Sequence, residues 1–299
     1  MIFAKMFKKK EKTQNRIGIA FGGGGARGLA HIGAIRAFEE SGINFDVVAG
    51  TSVGSLVGAM YAQGIKSEQM LEIAKTLKVK DIRTSKLFFM PSKTDGIEGL
   101  VKKVLGDINI EDLAKPFTAV AVDMITGAEV NLTKGNLAKA VAGSCSVPGF
   151  FNYVDFGDYR LHDGGLQNTI PADVVRNSGC KYVISIDVNP TRGSGTNSTK
   201  LLDMISASIG IMMSSNAVKG KLFSDIIIEP NLQKFKSTSF DGLDEMVQLG
   251  YEATMAVIPQ IKMLLGLDTI GVKPRRFRDI FKFNKKKILK ESQKNSVEA

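Results

Sequence analysis

The pentapeptide Gly50-Thr51-Ser52-Val53-Gly54 lies between two different periodicities. Before it, Asp46-Val47-Val48-Ala49 is a short apolar run, the pattern of a buried strand. After it, Leu56, Val57, Met60 and Tyr61 recur at helical spacing. A chain that passes from strand to helix this abruptly must turn sharply, and a serine at the turn projects from the sheet edge. Gly50 and Gly54 suit that turn, because a Cβ at either position would crowd it. In a chain with 31 glycines the pentapeptide by itself carries little weight. The flanking strand and helix favour a nucleophile elbow over a structural turn.

The alternation continues along the chain. Arg16 to Phe21 predicts a first strand, Gly22 to Gly28 a loop, and Leu29, Ile32, Ile35 and Phe38 a helix stopped by Ser41-Gly42. Helices are expected over 67–77, 95–105 and 135–143, near Pro171, from Leu201 through Met212, and over 243–265. Strands are expected at Phe117–Val122, Glu129–Leu132, Tyr182–Ile186 and Ile226–Ile228, with a hairpin across Gly157-Asp158 joining Phe150–Val154 to Tyr159–Leu161. Strands alternating with helices predict an α/β fold with a mainly parallel sheet covered on both faces.

With 299 residues, 43% of them hydrophobic, the chain can bury a full core as one large domain with tails. It has no apolar run near the ~18 residues of a membrane-spanning helix. Its first residues lack the apolar core of a secretory signal. Cys145 and Cys180 make neither a disulfide framework nor a metal site, and read as reduced thiols of a cytoplasmic protein. The net charge of +10 is uneven: residues 1–16 carry six Lys/Arg and one Glu, and residues 273–299 carry ten Lys/Arg and three acids. The body between them is close to neutral, which argues against a nucleic-acid-binding core.

Gly23-x-Gly25-x-x-Gly28 follows the first strand and opens a helix. A dinucleotide-binding turn would want an acid at the end of the second strand. Here Asp46 precedes that strand and the serine turn occupies its end. The other reading is an oxyanion hole, in which successive amides of Gly23, Gly24 and Gly25 offer donors to negative charge. Arg27 either adds positive charge nearby or faces solvent.

A serine nucleophile needs a base. The chain has two histidines, His31 and His162. His31 lies on the helix after the glycine loop and reads as a packed core or rim residue. His162 immediately precedes Asp163, so on a strand it points to the opposite face. No histidine follows 162, whereas an α/β-hydrolase would place its histidine last. A carboxylate acting directly is the better partner, and Asp163-Gly164-Gly165, at a strand end, supplies one. If Ser52 is activated, the expected pair is a Ser52–Asp163 dyad.

The order of glycine loop, Gly-Thr-Ser-Val-Gly and Asp-Gly-Gly resembles the patatin-like phospholipases, especially small bacterial members. The likeness covers about residues 15–262. It includes Gly143-Ser144-Cys145-Ser146-Val147-Pro148-Gly149-Phe150-Phe151, Asn168, Pro171 and Asp173, and the segment 224–251. Thr169 departs from it, where relatives often carry a second Asn. The resemblance implies a patatin-like three-layer α/β/α sandwich with a mainly parallel central sheet. It implies Ser52 as nucleophile, Asp163 as general base and an oxyanion hole at Gly23, Gly24 and Gly25, with Arg27, Gly28, Gly50, Gly54, Gly164 and Gly165 as motif support. The implied reaction hydrolyses the acyl ester of a phospholipid or lysophospholipid through an acyl-serine, without metal or cofactor. An acyltransferase using the same dyad and a non-catalytic lipid- or nucleotide-binding regulator are the alternatives.

The expected organisation is a basic segment over 1–15, a catalytic domain over 16–265 and a basic tail over 266–299. In the tail, Phe277, Ile280, Phe281 and Ile288 fall near one helical face among Lys and Arg. This is the pattern of an interfacial helix on anionic lipid, and equally of a solvated basic tail. A cytoplasmic protein peripheral to the inner membrane face is the corresponding expectation. Residues 86–91 read as core packing, or as a lid or acyl-pocket rim, and Met204, Met212 and Met213 as core, with pocket lining the alternative. The pattern says nothing of oligomeric state.

Overall fold

The computed structural model describes residues 16–77, 91–189 and 196–267. The segments 1–15, 86–90 and 268–299, with their expected tails and lid, lie outside these residues. The chain divides into two units at Ile261 and Lys262. The first holds the sheet and the helices around it. The described part of the second completes the last helix and turns at Gly266, φ 66°.

The sheet contains β1 (Ile17–Phe21), β2 (Val47–Thr51), β3 (Phe117–Asp123), β4 (Glu129–Leu132), β5 (Val154–Phe156), β6 (Tyr159–Asp163), β7 (Tyr182–Ile186) and β8 (Ile226–Ile228). β3, β2, β1, β7 and β8 are parallel neighbours in that order, and β4, β5 and β6 pair antiparallel at the β3 edge. The helices are α1 (Leu29–Glu40), α2 (Val53–Gln63), α3 (Ser67–Thr76), α4 (Asp95–Leu105), α5 (Leu137–Ser144), α6 (Ala172–Asn177), α7 (Leu201–Leu222) and α8 (Leu243–Leu264).

The parallel strands read as continuous apolar runs because both faces are covered; every residue of β1, β2 and β3 is buried. Phe21, Val48 and Phe117 close around Gly58 of α2, where an added Cβ would lie 3.1 Å from the Phe117 ring. Ala20, Val47, Ala49, Val120 and Val183 turn to the opposite face and cluster with Val174 and Val175 of α6. The result is a mixed α/β fold, a central sheet flanked by helices. At about 25 cal/mol per Å², burial of these two faces is the main stabilising term.

Two expectations need correction. The first hairpin strand begins at Val154, not Phe150; Phe151 instead makes an isolated bridge to Ser92. Met204 and Met212 are not core: they are 50% and 38% exposed on α7. Their apolar character suggested burial, but that helix turns an apolar side outward.

Candidate active site

Ser52 sits between the last residue of β2 and the first of α2, with φ 53° and ψ −130°. It is the one non-glycine residue at positive φ among the described residues. Such backbone is held only where surroundings over-determine it, and here they do. The Ser52 N–H donates to Ser144 Oγ at 2.9 Å, and Ser144 Oγ donates to Val120 O at 2.6 Å. Ser55 Oγ donates to Ser52 O at 2.7 Å, and Thr51 Oγ1 to Asn168 O at 2.8 Å. A Cβ at Gly50 would lie 2.2 Å from Gly54 O, and one at Gly54 2.2 Å from Phe21 O. Strand and helix approach too closely there for any side chain.

Sheet register brings Asp163 to this turn. Residues 119 and 120 pair with both β2 and β4, and residues 121 and 122 with both β4 and β6. β2 and β6 therefore share one edge of β3, running toward each other. Thr51 is opposite Val120, and Asp163 is opposite the next residue, Ala121. The strand ends meet head-on, with the serine leaving one and the aspartate closing the other.

Asp163 is 2% exposed. Its Oδ1 accepts from the Gly165 N–H at 2.8 Å, while Oδ2 has no partner of hydrogen-bond geometry. Burial raises its pKa to about 6, against the lowering influence of the Ser52 hydroxyl and the Gly165 amide. The hydroxyl thus lies within electrostatic reach of the carboxyl, without a closed hydrogen bond between them. Catalytic contacts are often loose in the unliganded enzyme. Cys145 lies beside the pair, and its thiol pKa is raised, first by burial and then by the Asp163 charge.

Only part of the glycine loop is available to an oxyanion. The Gly23 N–H donates to Thr169 O at 3.0 Å. The expected set of three donors therefore loses Gly23, whose amide is spent on holding the loop. The amides of Gly24 and Gly25 have no partner among the described residues. Gly23 still matters by its size: a Cβ there would lie 3.3 Å from Ser52 Cβ. Asn189 Nδ2 donates to Gly23 O at 2.5 Å. Arg27 donates through Nε to Phe235 O at 2.9 Å and through Nη1 to Asn189 Oδ1 at 3.4 Å, tying the loop to two other segments. Gly28 and Gly164 are close-approach positions, where a Cβ would lie 2.5 Å from Val53 and 2.2 Å from Val120 O.

The other titratable candidates are occupied elsewhere. His31 is fully buried, its Nε2 sits 2.8 Å from Gly22 O, and burial lowers its pKa to about 4. It is a neutral brace of the loop. His162 Nδ1 lies 2.6 Å from Ser146 O, and its ring packs against Tyr153. Asp46 Oδ2 accepts from the Ile17 N–H at 2.9 Å. Ser144, Ser55 and Asn189 were invisible as functional supports in the sequence. Ser144 stands within a stretch of small residues that gives no sign of which one faces the turn. A depression of about 290 Å³ bordered by Val47, Pro116 and Phe117 opens where β2 and β3 begin, the opposite strand ends from Ser52, and holds none of these groups.

The model of the patatin-like phospholipase family matches residues 19–176. Over 59% of this chain, patatin-like phospholipase domain-containing protein 7 of Rattus norvegicus is 39% identical, and 14% of that protein is covered. Over 82% of this chain, patatin-like phospholipase domain-containing protein 6 of Mus musculus is 30% identical, and 21% of that protein is covered. The chain thus spans about a fifth or less of these relatives' lengths. The crystal structure of VipD from Legionella pneumophila shares the fold with TM-score 0.50 at 14% identity, covering 83% of this chain and 67% of that one.

Proposed function

Because the chain belongs to the patatin-like phospholipase family, we propose that it is a serine lipid acyl hydrolase working through a Ser52–Asp163 dyad. The substrate class is a phospholipid or lysophospholipid. Ser52 Oγ attacks the ester carbonyl carbon as Asp163 takes its proton. The tetrahedral oxyanion is met by the Gly24 and Gly25 amides. Collapse breaks the ester C–O bond, and the departing alcohol takes the proton from Asp163. Water then attacks the acyl-serine, giving a proton to Asp163, and Ser52 leaves with it as the free acid forms.

The observation that supports this most is the head-on meeting of β2 and β6. It brings a strained serine to a buried carboxylate with a raised pKa. Both histidines are engaged with backbone carbonyls, His31 with Gly22 O and His162 with Ser146 O. A fluorophosphonate tests the reading. An adduct on Ser52, absent from Ser52→Ala, is expected; no adduct on folded protein would refute it.

The basic ends form the second part of the proposal, as peripheral contacts with anionic lipid. Removing 273–299 is then expected to weaken sedimentation with anionic vesicles. Unchanged sedimentation would remove them from the proposal.

A further inference from the structure

Helix α7 is apolar toward solvent as well as toward the protein. From Met204 to Val218 it carries no charged residue. Leu201, Met204, Ile211, Met212, Val218 and Leu222 are exposed, the two end leucines by 70% and 80%. At helical spacing these six form one outward stripe, completed by Ser208 and Ser215. The inward side is mixed, with Met213 packed against Gly165 beside small and polar residues. Ala217 and Gly220 are buried, and Asn216 Nδ2 donates to Gly165 O and Leu166 O at 3.3 and 2.7 Å. A surface helix normally turns its polar side to water.

The same helix reaches the candidate active site from its inner side. Met213, adjacent to Met212, accepts from Thr169 Oγ1 through its carbonyl at 2.7 Å. Its Cε packs over Gly165 and Gly23, where added Cβ atoms would lie 2.4 and 3.5 Å away, and Gly23 abuts Ser52. We infer that the outward face of α7 docks on a phospholipid bilayer and lays the approach to Ser52 against the lipid surface. The choice of lipid rests on the proposed hydrolase function. Charge agrees with it: the stripe holds no carboxylate, exposed Lys200 stands at its N-terminal end, and the helix's one acid, Asp203, lies to the side of the stripe and accepts from Ser198 Oγ.

Its dimensions argue against a second copy of the chain. A 22-residue helix is roughly 33 Å long. A stripe about 10 Å wide along it offers on the order of 300 Å², against the ~800 Å² per partner of a standard interface. A bilayer needs no such area, since an amphipathic helix lies in the interface by its apolar side alone.

The test uses the full chain carrying Ser52→Ala, which binds without turnover. The vesicles are three parts phosphatidylcholine to one part phosphatidylglycerol. Adding Ile211→Ser with Val218→Ser is expected to lower vesicle partition roughly tenfold or more, with the thermal midpoint and circular dichroism reporting an intact fold. Equal partition would overturn the proposal. A second probe avoids reliance on that double variant: an environment-sensitive dye on Val218→Cys should shift to the blue only when vesicles are added. A shift without vesicles that grows with protein concentration assigns the face to a second copy. One independent of concentration assigns it to a segment of the same chain. Either result overturns the docking surface. Docking by a chain whose Ser52 takes no fluorophosphonate would refute the hydrolase and leave the surface standing, and the converse result would do the opposite.

Discussion

The Ser52 amide and the Ser144 hydroxyl are 2.9 Å apart, and Ser144 passes the connection on to Val120 O on the neighbouring strand. One hydroxyl thus accepts from the elbow and donates to the sheet. It fixes the Ser52 backbone relative to β3, the same strand whose edge carries Asp163.

Ser144→Ala should therefore leave two buried backbone groups unpaired, the Ser52 N–H and Val120 O. Ser144 is fully buried, so water cannot replace it cheaply, and a loss of about 1–3 kcal/mol is expected. The elbow should also loosen, lowering kcat more than it raises KM. Urea unfolding and kinetics on a soluble ester check both. A variant as stable and as fast as the parent would show that the bond contributes nothing.

The strain at Ser52 makes a second prediction. Alanine at position 52 keeps the Cβ that makes φ 53° unfavourable, whereas glycine adopts it freely. Both variants should be inactive, with Ser52→Gly the more stable by about 1 kcal/mol. Glycine's greater freedom in the unfolded chain opposes this gain, so equal stability of the two would mean that the turn stores little strain. Thermal or urea unfolding of both measures it.

As the base of the proposed dyad, Asp163 would set the pH dependence of the rate. A general base works ionised, and burial raises this carboxyl to about 6. kcat/KM should rise through pH 6 and level off above about 7. His31, lowered to about 4 and engaged with Gly22 O, does not supply that limb. His31→Gln should keep the same midpoint even if the fold weakens, and a midpoint that moves with it would transfer the limb from Asp163 to the histidine.

The division between what the sequence foretells and what it does not follows from the range of each interaction. Ser52, Gly50 and Gly54 were legible because an elbow is local: strand, turn and helix lie within about fifteen residues. The role proposed for Asp163 follows from excluding histidine, and its place beside Ser52 needs the register of two strands on one edge of β3. The Gly23 amide was misassigned because its acceptor, Thr169 O, is a backbone atom 146 positions away. Backbone carbonyls leave no trace in residue identity. For the same reason α7 was misread. Its methionines look like core, and only its placement shows which side meets the protein.

The raised pKa of Asp163 also predicts a stability cost of the active site. An aspartate in an unfolded chain titrates near 3.9, and in the fold near 6. Between those values the native state binds more protons than the unfolded one, so stability falls as pH rises. The penalty is absent below about pH 4, grows to about pH 6 and is constant above it. Asp163→Asn removes the ionisation, and its amide can donate to Ser52 Oγ in place of the unpartnered Oδ2. The variant should therefore be more stable than the parent at pH 8, by something on the order of 1–3 kcal/mol. The advantage should shrink toward zero between pH 6 and 4, and turnover should be lost at every pH. Urea unfolding of both proteins at pH 8, 6 and 4 reads the difference directly. An advantage that does not change with pH would place its origin in packing and not in the buried charge, and the same carboxylate could then no longer account for the pH limb of the rate.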